Sequence, residues 1–216
     1  MSDIFREVEE EVRKDKLLAL WKKYGVYVII AAVALVAGTG LRVVWREYQQ
    51  NRQAEDAAAF AQAGNLLAEG QVKDAAAAYA GLAKDANGGY AVVAAFHAAQ
   101  AQEKAGDIGA AVATYDKLAG ESEAGPALRD VARLSAAMLR SGEAPLEEMQ
   151  KRLAPLDADD NPWRFSAREL LAAARLRSGD EKGARELLNG LAEDAGTPAG
   201  VRARAEQFLA ALGGTD

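Results

Sequence analysis

The rhythm of apolar and charged positions along the 216 residues changes twice. Up to residue 23 charges are dense. Ile4, Val8 and Val12 recur at i, i+4, i+8, and Glu9–Arg13 and Glu10–Lys14 are i,i+4 pairs in the favourable order, so this segment reads as a charged amphipathic helix. From Tyr24 to Leu41, YGVYVIIAAVALVAGTGL runs eighteen residues without a charge. A helix of that length spans about 27 Å, close to the ~30 Å hydrocarbon core of a bilayer. Beyond Leu41 the charges return, and alanine-rich amphipathic stretches of helical period follow one another.

The flanks of the charge-free run favour a membrane span over a buried core helix. Trp21, Tyr24 and Tyr27 stand at one end, and Leu41, Arg42, Trp45 and Tyr48 at the other, with Lys22, Lys23 and Arg46 able to snorkel. A cleaved signal peptide would want a short basic leader. The 23 residues here are as acidic as they are basic and helical in pattern, so an uncleaved anchor is the better reading, although Ala32-Val33-Ala34 offers a small-x-small site. Six Lys and Arg precede the span (positions 6, 13, 14, 16, 22 and 23), and a similar window after it has only Arg42, Arg46 and Arg52. That bias places the N-terminus in the cytoplasm. The expected organisation is a cytoplasmic tail (1–23), a transmembrane signal anchor (24–41) and a translocated domain (42–216).

That last part has an internal period. Gly70, Gly106, Gly142 and Gly179 are spaced by 36, 36 and 37 residues, and Pro126, Pro162 and Pro198 by 36 each. Periods in the mid-thirties indicate helix–turn–helix repeats. Each glycine suits a left-handed helix end, and Asp107 and Asp180 suit the N-cap that follows. Val72, Ala75, Ala76, Tyr79, Leu82 and Ala83 fall on one helix face, repeated by Ile108, Ala111, Val112, Tyr115, Leu118 and Ala119, and again by Ala184, Leu188, Leu191 and Ala192. In the third copy Met149 and Leu153 replace the Tyr and Leu loosely. Seven residues before each glycine stand Ala63, Ala99, Ser135 and Ala172, small enough for two helices to cross closely, and the prolines suit the first turn of the next helix. No proline interrupts Leu41–Glu69, so the membrane helix is expected to run on into the first hairpin.

These features resemble the tetratricopeptide repeat. The expectation is an all-α protein: one N-terminal transmembrane helix, then a right-handed α-solenoid of four hairpins and a closing helix from Pro198 to Leu212. The run IFREVEEEVRKDKLLALWKKYG, followed by one membrane helix and such repeats, is similar to the bacterial ancillary SecYEG translocon subunit family, and more narrowly to alphaproteobacterial membrane-anchored tetratricopeptide proteins. The resemblance implies an inner-membrane protein with a periplasmic domain, partnered by the SecYEG translocon and a membrane-anchored periplasmic chaperone. A scaffold for another envelope assembly or division complex is the alternative.

Charge and composition narrow the chemistry. Net charge is −6, and the tail through Lys23 carries six basic and six acidic residues, so the whole −6 lies beyond it. Such a domain is a poor match for nucleic acid. There is no cysteine, so disulfides and thiol catalysis are excluded. His97 is the lone histidine, beside Phe96 on an alanine-rich stretch, and reads as a half-buried structural residue. Asp157, Asp159 and Asp160 lack the central glycine and terminal glutamate of a calcium loop and read as an inter-repeat turn capping the Pro162 helix. Gly88-Gly89 carries no phosphate-loop pattern. No catalytic residue, metal, cofactor or small-molecule substrate is expected. The candidate partner groove is Phe60 and Phe96, equivalent residues 36 apart, with Arg140 and Arg177 near the ends of two first helices; inter-helix core packing of both rings is the competing reading.

Overall fold

The computed structural model describes residues 2–86, 88–120 and 124–213. In the first helix the side chains of 2–13, 15–17, 19, 28 and 31 fall outside that description, and with them the Ile4, Val8, Val12 stripe and the two early ion pairs. Among the described residues all regular structure is helical: α1 (Ser2–Ala68), α2 (Val72–Asp85), α3 (Gly89–Lys104), α4 (Ile108–Gly120), α5 (Gly125–Arg140), α6 (Leu146–Leu153) with a 3-10 turn (Ala154–Leu156), α7 (Arg164–Arg177), α8 (Glu181–Glu193) and α9 (Ala199–Ala211). The chain divides into two compact units, one up to Glu55 and one from Asp56, and α1 contributes to both.

In the first unit the apolar run contains a stretch long and apolar enough to cross a membrane, by length and composition, and none of that stretch is buried. Leu35 and Leu41 are 71% and 73% exposed. The Thr39 hydroxyl donates back to the carbonyls of Leu35 and Val36, both at 2.9 Å, so its polar group is satisfied within the helix, as a lipid environment demands. Gly25 leaves room for the Trp21 indole, which lies 3.2 Å from where a Cβ would stand. At the other end Trp45 and Tyr48 are 6.3 Å apart, with the Arg52 guanidinium 5.7 Å from the Tyr48 ring.

The second unit is built of hairpins: the end of α1 with α2, α3 with α4, α5 with α6, α7 with α8, and α9 as the closing helix. From α2 onward each helix packs on the next, and α5 also touches α7, as α7 does α9. Three of the four hairpin turns share one geometry. At Gly106 (φ +81°) the glycine N–H bonds to Glu103 O at 2.9 Å and the Asp107 N–H to Gln102 O at 2.9 Å. This is the paired bonding of a Schellman end, which satisfies carbonyls the helix leaves open. Gly70 and Gly179 repeat it. Asp107 and Asp180 then cap the following helices, each accepting from a backbone N–H three residues on, at 3.1 and 3.0 Å.

The third turn departs from this geometry. Gly142 has no positive φ. There Glu143 N and Ala144 N both bond to Arg140 O, Pro145 caps the next helix, and α6 starts four residues after the glycine where α2, α4 and α8 start two after theirs. Counting from the helix start, the eighth residue is Tyr79, Tyr115, Leu153 and Leu188, and the eleventh is Leu82, Leu118, Leu156 and Leu191. All eight are buried. The third repeat is therefore shifted by two residues at its turn. Leu153 and Leu156 take the Tyr and Leu positions, and Met149 takes that of Ala111, a correction to the expected pairing of Met149 with the tyrosines.

Ala63, Ala99 and Ala172 are 0% exposed, which matches the close helix crossing expected of them, and Ser135 is half-buried. Of the prolines, Pro126 sits in the first turn of α5, Pro198 is the N-cap of α9, and Pro162 precedes α7 by two residues.

Candidate functional site

The two phenylalanines repeat one arrangement. Phe60, half-buried on α1, meets Tyr79 of α2 edge-on at 5.1 Å and His97 of α3 at 5.0 Å. Phe96 of α3 lies 5.9 Å from Tyr115 of α4. Each ring is seated on the tyrosine of its own hairpin. Burial raises the phenol pKa of Tyr79. It raises that of Tyr115 as well, helped by Glu103 and opposed by a hydrogen bond with Ser135. His97 is half-buried and stacks on Tyr79 at 5.1 Å, in line with a structural role.

The arginines gather elsewhere, around the irregular third turn. Arg177 donates to the Ala144 carbonyl at 2.6 Å, and Arg140 reaches both carboxylate oxygens of Glu148 at 3.2 Å. Arg140 and Arg152 together hold the Glu148 carboxyl below its ordinary pKa. Phe60 and Phe96 thus pack against two successive hairpin cores, while Arg140 and Arg177 are bonded around one turn.

Other polar contacts had no counterpart in the sequence reading. Arg152 of α6 holds Asp116 of α4 through two bonds of 2.5 and 3.0 Å, and Arg204 of α9 holds Glu169 of α7 at 2.5 and 2.8 Å. Each clamps neighbouring repeats, and the partners are 36 and 35 residues apart, one repeat period. The aspartate-rich turn is held by Arg168, which donates to Asp157 at 2.5 Å. The aspartates do not cap α7, whose N-cap is Trp163 without a side-chain cap bond; Asn161, two residues earlier, accepts from Trp163 N at 2.9 Å and donates to Asp130 at 2.8 Å. Among the described residues no three His, Cys, Asp or Glu side chains form a metal-ligand group.

The model of the tetratricopeptide repeat-like domain family matches residues 19–202, most of the chain. The chain belongs to that family. No curated protein and no solved structure matches it. Tetratricopeptide-like arrays present surfaces to other proteins, and the domain fits a protein-interaction scaffold.

Proposed function

We propose that this tetratricopeptide-like protein is a non-enzymatic, single-pass inner-membrane scaffold that links the Sec translocon to periplasmic chaperones during export. Its tail (1–23) lies in the cytoplasm, residues 24–41 stay in the membrane, and the hairpins work in the periplasm. The observation that carries the reading is the extent of the family match: it begins at residue 19, ahead of the apolar run, and continues through the hairpins. A segment that recurs with its domain is better explained as a retained anchor than as a leader that is cut away. The excess of Lys and Arg before the span supports the orientation, and the resemblance of Ile4–Gly25 to the translocon subunit family supports the partner.

Extraction in mild detergent followed by affinity capture of the intact chain tests the partner. Translocon subunits and a membrane-anchored chaperone are expected in the eluate. Capture of division or envelope-assembly proteins instead would favour the second scaffold reading, and capture of no translocon subunit refutes the first. An export-dependent reporter fused after Asp216 is expected to be active; activity of a cytoplasm-only reporter at that position would reverse the orientation.

A further inference from the structure

We infer that the hairpin unit carries a docking trough between α2 and α4, floored by α3, whose occupant is a partner's amphipathic helix with bulky apolar residues on one stripe and acidic residues at its flanks. The inference deepens the scaffold reading and rests on it for its biological setting. The surface is distinct from Phe60, Phe96, Arg140 and Arg177.

Two adjoining hollows make the trough. One, of about 320 Å³, has Ala91, Ala95 and Ala98 of α3 as floor and Ala80 and Ala83 of α2 as one wall, with Ala113 of α4 opposite. The other, of about 560 Å³, continues past Ala80 to Ala76, Ala77 and Ala105. Along α2 the trough runs from Lys73 to Lys84, eleven residues or about 16 Å, the length of three helical turns. It is hollow because its lining side chains mostly end at Cβ: methyl groups keep neighbouring helices in contact but fill nothing beyond them. Its dimensions are those of a binding cleft, and at ~30 Å³ per water even the smaller hollow holds about ten waters to displace.

The chemistry of the walls selects a helix over an extended peptide. The polar lining groups Gln102 and Thr114 are bonded to each other at 2.9 Å. In the smaller hollow, alanine methyls offer no partner to the N–H and C=O groups of an extended chain, and leaving those groups unpaired against an apolar wall is costly. A helix brings its own backbone bonds and needs only to insert large side chains at i, i+4, i+7. The charge selects acidic flanks. Lys73 and Lys84 are exposed at the two ends, and neither makes an ion pair among the described residues. Arg152, Arg168 and Arg204, by contrast, are committed to internal carboxylates. The acidic lining residue Asp107 is occupied as the cap of α4. On a chain of net charge −6, a locally basic rim attracts an acidic partner.

The test uses the full chain in detergent micelles and a labelled synthetic fifteen-residue helix bearing Leu at i, i+4, i+7 and i+11 with Glu at both ends. Anisotropy titration is expected to show salt-sensitive binding. Lys73→Glu with Lys84→Glu should weaken it roughly tenfold, and Ala80→Trp, at an exposed position, should abolish it while circular dichroism stays unchanged. The inference is overturned if no peptide binds, if a Lys-flanked peptide binds equally, if a proline-interrupted, non-helical version binds as tightly, or if Ala80→Trp leaves the affinity intact. Affinity capture separates this from the scaffold reading. Translocon subunits retained by an Ala80→Trp chain would count against the trough alone. Peptide binding in the trough, with no translocon subunit captured by the unaltered chain, would count against the scaffold reading alone.

Discussion

Replacing Gly106 and Gly142 by alanine, one at a time, asks the same chemical question of two turns and should receive opposite answers. At Gly106 φ is +81°. An alanine held there in the left-handed region costs about 1–2 kcal/mol. An added Cβ would meet nothing within 4 Å, so neither a clash nor a new contact alters that figure. Restricting the unfolded chain returns about 0.4–1 kcal/mol, which leaves a net loss near 1 kcal/mol. At Gly142 the Cβ also meets nothing, but the backbone is not left-handed, so only the gain of about 0.4–1 kcal/mol remains. The unfolded-state gain is common to both, so the two variants should differ by roughly 1–2 kcal/mol, which at this size is a separation of several degrees in Tm. Thermal and urea unfolding of the full chain in detergent, followed by far-ultraviolet circular dichroism, measures both. Equal destabilisation by the two substitutions, or a neutral Gly106→Ala, would refute the reading of the third turn as a different structure.

Leu153→Ala and Leu118→Ala should each cost about 2–5 kcal/mol, because both fill buried positions, whereas Lys151→Ala, at an exposed position, should stay within about 0.5 kcal/mol; urea midpoints decide. Arg152→Met removes the clamp to Asp116 and Glu148 and should lower stability by about 0.5–1 kcal/mol at low salt, a difference that shrinks in 1 M salt. The Glu148 carboxyl is held below its ordinary value near 4.5, so its contribution is complete above that pH and disappears as pH falls through the lowered native value. Unfolding midpoints of Glu148→Gln should consequently lie below those of the unaltered chain at neutral pH and converge with them in acid; a constant gap down to the acid limit would exclude this linkage.

The turns at Gly70, Gly106 and Gly179 were readable from the sequence because their chemistry is local: a left-handed glycine followed closely by the start of the next helix. The third hairpin was misaligned for the same reason. Gly142 keeps the period without the conformation, and it is Pro145 that decides where α6 begins. The clamps Asp116–Arg152 and Glu169–Arg204 were within reach as opposite charges one period apart, but single charges on amphipathic helices resemble solvated ones until both faces are placed. Phe60 and Phe96 were recognisable as equivalents, though their tyrosine partners depend on how each helix rotates. The trough was invisible for a physical reason: it consists of side-chain volume that is missing, and alanine in a sequence registers as a good helix former rather than as an empty wall.

The alanines at the helix crossings also carry a calorimetric consequence. Unfolding raises the heat capacity in proportion to the apolar surface it exposes, on average about 12–15 cal/mol/K per residue. A core that includes the fully buried Ala63, Ala99 and Ala172, in a chain only 6% aromatic, exposes less than an average core does. The heat-capacity increment per residue of the hairpin unit should fall below that range, giving a less curved dependence of stability on temperature, with its maximum and its cold-denaturation limit displaced to lower temperature.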